Sequence, residues 1–301
     1  MRRRTLPLLA TTISLALLLV VGGVAASKQR HEEQSTSSQS ATATKSAGDV
    51  SIQSTTVKAS FASGTESADF FGVKVSDHGN LLSFESPAGH EAVFPGREGY
   101  ALCSQSGGVV RGYDTGGAED GFGPPKFNQP NPGKFPLTIT RNTTDGEFQL
   151  KQVWSKPNAT EKTVTVTMTV KNITTDGSDF FVVLSRSGDF DVGTSAQDQE
   201  DQGARTSDSV WQWDDVSSPV QEPLPGGTML TALTWGTPHN TFIEPSSAWA
   251  GAGGTHEKCL TDSGLSTPTS VQDLAMRINY MFPGFLSSGN SRTVKFEYGR
   301  M

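Results

Sequence analysis

The sequence predicts an all-β protein, a large antiparallel two-sheet β-sandwich carried behind a signal peptide and a disordered Ser/Thr-rich tether. Three observations predict it. From about residue 57 onward, apolar residues recur with a period of two. Clusters of Gly, Pro, Asn and Asp separate these runs, and no stretch of about a dozen residues carries the 3.6-residue stripe of a helix. Many short strands with turn-rich connections belong to sandwiches and barrels.

The N-terminus reads as an export signal over residues 1–26. Arg2, Arg3 and Arg4 form a basic start, residues 6–24 are uncharged and largely apolar, and Val24-Ala25-Ala26 offers the small residues a signal peptidase needs. Left uncut, the same stretch is long enough to act as an anchor. Either way Arg2–Arg4 stay on the cytoplasmic side, and the remaining chain lies in a secreted or extracytoplasmic place. Residues 27–56 follow as a tether. The run 34–44, Gln-Ser-Thr-Ser-Ser-Gln-Ser-Ala-Thr-Ala-Thr, has almost nothing apolar to offset the entropy of ordering it.

Residues 57–301 then form a single domain, since no break in composition divides them. Residues 161–171 are the clearest strand: Val164, Val166, Met168 and Val170 alternate with Thr165, Thr167 and Thr169, one buried face and one wet face. Strands at 136–141 and 147–154 join through a loop containing Asp145-Gly146, a hairpin signal. A run at 179–186 follows the turn 172–177, and the four together suggest a meander. Further strands are expected at 70–75, 80–85, 91–94, 99–103, 109–113, 210–213, 229–235, 274–280 and 293–298.

Composition limits function. The chain has 301 residues, 34% hydrophobic and 18% charged, which excludes a coiled coil and a polytopic membrane protein. Its net charge is -7. Removing residues 1–26 takes three Arg away and leaves 21 basic against 31 acidic side chains, a net charge of -10. A negative field of that size disfavours nucleic acid, heparin-like polymers and anionic lipid as partners. Cys103 and Cys259 are the only cysteines. In an oxidising compartment an even count favours one disulfide, here closing a loop long enough for roughly 4–5 kcal/mol of chain-entropy stabilisation.

Candidate binding chemistry gathers in residues 189–215, an acidic stretch whose loops could supply cation ligands or be plain solvated surface. Asp189 and Asp191 are candidate ligands for Ca²⁺, which wants six to eight oxygens, although the spacing is not that of an EF-hand. Residues 114–121 are a second acidic segment of the same kind. Trp211 and Trp213 stand two apart and share one face of a strand. Exposed, they make a platform for sugar rings, with Asp214 and Asp215 placed to bind hydroxyls; buried, they are core. Trp154, at the end of a regular strand, is assigned to the core. Arg186, close to Asp189 and Asp191, is expected to hold that turn by an ion pair.

No G-x-S-x-G or H-E-x-x-H motif occurs, and the five histidines are scattered. Asn142, Asn158 and Asn172 head N-x-T triplets, which would mark exposed loops if glycosylated. Export, a tether and no visible catalytic set suggest a non-catalytic binding or surface module for a polysaccharide or glycan. The alternatives are a carbohydrate-active enzyme, a glycosidase or lyase using acids of the same loop, and an adhesive envelope protein that binds another protein along a strand edge.

Overall fold

Among the described residues, most of the alternating runs form strands. The computed structural model describes residues 54–65, 68–114, 121–190, 201–205, 209–214, 228–232, 239–245 and 274–300; at 94–97, 114, 189, 201–245 and 274–276 the description is of the backbone alone. These residues lie within one compact unit, Ala47–Met301. They are all-β with no helix, arranged as three antiparallel sheets.

The first sheet has three strands in sequence order: β1 (Val57–Ser63), β2 (Phe71–Ser76) and β3 (Leu81–Glu85). A five-stranded sheet contains β4 (Val93–Ser106), β5 (Val109–Asp114), β10 (Phe181–Phe190), β14 (His239–Pro245) and β15 (Leu274–Met281). Its order is β14-β15-β10-β4-β5. An eight-stranded sheet takes β6 (Lys126–Asn128), β7 (Leu137–Asn142), β8 (Phe148–Trp154), β9 (Thr163–Asn172), β11 (Asp201–Arg205), β12 (Ser209–Asp214), β13 (Thr228–Ala232) and β16 (Ser291–Arg300). Its order is β11-β12-β13-β16-β9-β8-β7-β6.

The two larger sheets are the sandwich, and one continuous core fills it. Val164, Val166, Met168 and Val170 of β9 face inward, as do Phe148, Leu150 and Trp154 of β8 and Val294, Phe296 and Tyr298 of β16. Burying each such large side chain contributes about 1.5–3 kcal/mol. Trp154 is fully buried and stacks on Tyr298 with ring centroids 6.1 Å apart.

The structure corrects the expected layout in three places. The two-sheet count gains a third sheet, because residues 57–63 form a strand that pairs with β2. The strands expected at 91–94 and 99–103 merge into the single long strand β4, which begins only at Val93; Glu91 makes an isolated bridge to Glu85. The meander stops at three strands: β7, β8 and β9 are neighbours, whereas the fourth run crosses to the five-stranded sheet as β10, and β9 pairs with β16 instead. Asn172 directs that crossing. Its Nδ2 donates to the carbonyls of Ser178 at 2.8 Å and Leu286 at 2.9 Å, while its Oδ1 accepts from the backbone N–H and the hydroxyl of Thr174. The side chain is therefore buried, and the triplet it heads is no exposed loop, in contrast to Asn142 and Asn158.

Arg186 is the second surprise of β10. It points into the core and pairs with Glu98 of β4, with Nε and Nη2 at 3.0 and 2.5 Å from Oε1 and neither side chain exposed. The expected ion pair with Asp189 or Asp191 is replaced by this buried one, because strand alternation sends Arg186 inward with Val182 and Leu184. Gln152 of β8 accepts from Arg186 Nη1 at 3.2 Å, Tyr298 donates to Glu98 at 2.5 Å, and the Leu81 N–H of β3 donates to the other carboxylate oxygen at 2.5 Å. The guanidinium carbon also lies 5.0 Å from the Trp154 ring and 5.5 Å from that of Tyr298. Burial alone would pull the Arg186 guanidinium down; the Glu98 carboxylate outweighs it and holds the group above its ordinary value.

Two predictions follow from this centre. Glu98→Gln keeps the shape and removes the charge, leaving a buried cation uncompensated, so it should cost about 3–5 kcal/mol in urea-induced unfolding. Stability should also fall at alkaline pH. Burial raises the Tyr298 phenol well above its ordinary value, and burial together with Asp145, which accepts from the Tyr113 hydroxyl at 2.6 Å, raises Tyr113. The unfolded chain releases these protons first, so their contribution is whole below about pH 10 and declines as pH rises above it. Thermal melts between pH 8 and pH 11, read beside phenolate absorbance, check both the decline and its origin.

Candidate functional site

The inward phase of β10 dictates its outer face. With Val182, Leu184 and Arg186 in the core, Val183, Ser185 and Ser187 point to the other side of the five-stranded sheet. On β15, Ile278 and Tyr280 are core and Arg277 and Asn279 take the opposite face. Register then assembles them: Ser185 lies opposite Asn279, and Ser187 opposite Arg277. The result is a two-by-two block of polar side chains, exposed by only 1%, 1%, 0% and 2% for Ser185, Ser187, Arg277 and Asn279. On one side the block meets a small apolar cluster of Ala101, Cys103 and Val183, backed by Phe181 and Met281.

Two atoms of the block set it apart from ordinary sheet surface. The Ser185 hydroxyl and the Asn279 Oδ1 are buried and make no hydrogen bond among the described residues. They belong to directly opposed residues, whose Cβ atoms in such a pair stand roughly 4.5–5.5 Å apart. A buried polar atom left without a partner costs about 1–3 kcal/mol, so two side by side are an expensive arrangement for structure alone. Chemically they are complementary to one hydroxyl group. Ser185 can donate to its oxygen, and Asn279 can accept its proton.

The residues singled out by sequence fall around this block in different ways. Asp189 lies on β10 two positions beyond Ser187 and one before the strand's last residue, at a register position opposite Ala275. Trp211, Trp213 and Asp214 lie on β12, with Trp211 opposite Ala204 and Met229 and Trp213 opposite Gln202. Within 189–215 the strand expected at 210–213 is part of β12, and β11, which was not expected, pairs with it. β12 and β13 pack across from β15, the strand that carries Arg277 and Asn279. Asp191, Asp215, Cys259 and residues 115–120 lie outside the described residues, and the side chains of Asp189, Trp211, Trp213 and Asp214 do as well. Among the described residues, no group of three His, Cys, Asp or Glu side chains converges as a metal site.

Sequence reasoning missed Ser185, Ser187, Arg277 and Asn279. Polar residues alternating with apolar ones read as a solvent face, and no local pattern tells a covered polar face from a wet one.

No family model and no curated protein matches the chain. Solved structures do resemble it. A bacterial glucoamylase in complex with acarbose superposes with a TM-score of 0.50 at 7% identity, over 83% of this chain and 32% of that one. The likeness is one of fold. A polysaccharide lyase aligns over 82% of this chain and 33% of its own, with a TM-score of 0.41 and 10% identity. A galactose mutarotase related enzyme from Lactobacillus acidophilus aligns over 80% and 97%, with a TM-score of 0.41 and 9% identity. The chain therefore spans about a third of the length of the first two.

If the Ser185 hydroxyl serves a ligand, removing it should be harmless to folding. Ser185→Ala is expected to leave stability unchanged or raise it by up to about 1 kcal/mol in urea unfolding. A loss of more than that would assign the hydroxyl a structural bond.

Proposed function

We propose that the protein is an exported carbohydrate-binding β-sandwich whose ligand contacts the polar block on the five-stranded sheet. The observation that carries this is the opposed Ser185 and Asn279 pair, a buried donor and acceptor matched to a sugar hydroxyl. Ser187 and Arg277 lie beside that pair in the same buried block. The fold shared with the glucoamylase structure is compatible with this reading, and the signal and tether of residues 1–56 supply the route and the spacing. Trp211 and Trp213, with Asp214 and Asp215, add a stacking platform on the strand that packs across from β15. A Cys103–Cys259 disulfide fits export into an oxidising compartment, and Cys103 is fully buried beside Ala101 and Val183 at the edge of the block. Calcium bound through Asp189 and Asp191 would stiffen the strand end next to Ser187.

Catalysis is the second reading, and the position of Asp189 favours it. It would use Asp189, two positions beyond Ser187 on β10, as one of the two carboxyl groups a glycosidase needs.

Affinity electrophoresis of the full chain through neutral polysaccharides, with and without calcium, tests the proposal. We expect one polymer to retard the protein, and Ser185→Ala/Asn279→Leu to weaken that retardation at least tenfold, about 1.4 kcal/mol. Trp211→Ala/Trp213→Ala measures the platform separately. Retardation unchanged in the Ser185/Asn279 variant would remove the polar block from the site. No retardation of folded protein would end the neutral-glycan reading, and shortening of the polymer would establish the enzyme.

A further inference from the structure

The outer face of the eight-stranded sheet has a chemistry unlike the rest of the molecule. Register lines up Lys126, Thr140, Lys151, Thr169 and Thr293 across β6, β7, β8, β9 and β16. The adjacent row is Asn128, Thr138, Val153, Thr167 and Lys295. A third contains Asn142, Gln149, Lys171 and Ser291. All of these side chains are exposed or half-buried, and on these five strands the face carries four lysines against the single carboxylate of Glu297. A net charge of -7 for the whole chain conceals a local excess of the opposite sign.

We infer that this Thr/Lys face is a docking surface for an anionic polysaccharide, one whose sugars carry carboxylates. Charge complementarity selects the anion, and geometry selects the polymer. Strands repeat at about 4.8 Å, which puts Lys126 and Lys151 roughly 10 Å apart along one row, so the cations recur along a line. Hydroxyls and amides fill the intervals. They are held in place before any ligand arrives: Thr169 and Thr293 share a hydrogen bond of 2.8 Å, Thr165 donates to Ser155 at 2.8 Å, and Gln149 donates to Asn142 at 3.1 Å. Such preorganisation lowers the ordering cost of binding. At one corner a half-open cleft of about 370 Å³, walled in part by Lys126, Thr140 and Asn142, is large enough to seat sugar units.

A lipid surface fits less well. Val153 is the one apolar side chain in the three rows and it is half-buried, so the face has nothing to insert among acyl chains. The rows hold no aromatic ring on which a nucleic-acid base would stack. The acidic remainder of the molecule repels a polyanion and restricts contact to this one face.

Affinity electrophoresis of the full chain through polygalacturonate tests the inference, with mobility taken relative to a polymer-free gel. Fully methyl-esterified pectin, the same backbone without the charge, is the control. We expect retardation by polygalacturonate and not by the ester. It should weaken at least tenfold in Lys151→Glu/Lys171→Glu, whose exposed sites leave folding intact, and also at about 0.5 M salt, where charges are screened within a few ångströms. The Ser185→Ala/Asn279→Leu variant should bind polygalacturonate as the parent does, which separates this surface from the polar block. No retardation, equal retardation of the charge-reversed variant, or lysine-dependent binding to phosphatidylglycerol vesicles in preference to the polymer would each overturn it.

Discussion

The Glu98–Arg186 pair holds the fold in one arrangement. Its two members sit on adjacent strands of the five-stranded sheet, yet their remaining bonds reach out of that sheet in two directions. Gln152 and Tyr298 tie the pair to β8 and β16 of the facing sheet, and the Leu81 N–H ties it to the three-stranded sheet. A buried charge pair is no cheap source of stability, because desolvating two ions offsets most of their attraction. What it supplies here is position. Apolar side chains tolerate small slides between sheets, whereas a fully buried carboxylate with partners from three sheets does not.

That position has consequences on the far side of the sheet. A strand has period two, so a slip of one residue would exchange every inward and outward side chain of β10. Arg186 forbids the slip, since moving it outward would strand Glu98 in the core. Ser185 and Ser187 are thereby committed to the outer face, and the antiparallel register commits Asn279 and Arg277 beside them. The pair inside and the polar block outside are the two faces of one constraint. A charge placed for packing reasons thus fixes where hydroxyl and amide groups wait for a ligand.

How much of this was legible in sequence depends on the element. β8, β9 and β16 were legible because each alternates with one face in the core, β8 and β9 along their whole length and β16 over 293–298. β6 was not, being three exposed residues at a sheet edge, and β11, Asp-Gln-Gly-Ala-Arg, has no apolar alternation to show. Asn172 looked like turn chemistry and is; its burial was invisible because it depends on Leu286, 114 residues away. Arg186 was paired with the nearest acids in sequence, whereas its true partner lies 88 residues earlier. The polar block fails to announce itself for the same reason. Burial of an outward face is decided by distant chain, and no period encodes it.

The two outer faces also show why net charge is a poor guide to partners in a sandwich of this size. Global charge governs long-range steering, which salt screens beyond about 8–10 Å. A sheet face is several strands wide, each strand about 4.8 Å from the next, so a face of its own sign spans more than one screening length. At contact a ligand therefore meets the local face and not the average. The eight-stranded sheet places its lysines among threonines that hydrogen-bond one another, while the block on the five-stranded sheet consists mainly of buried, compact hydrogen-bonding groups. Each face selects by different physics, the first by charge density along a line and the second by matching single hydroxyls. One strand pattern, apolar inward and polar outward, thus yields two surfaces whose specificities are set by which polar residues stand outward and by whether they are covered.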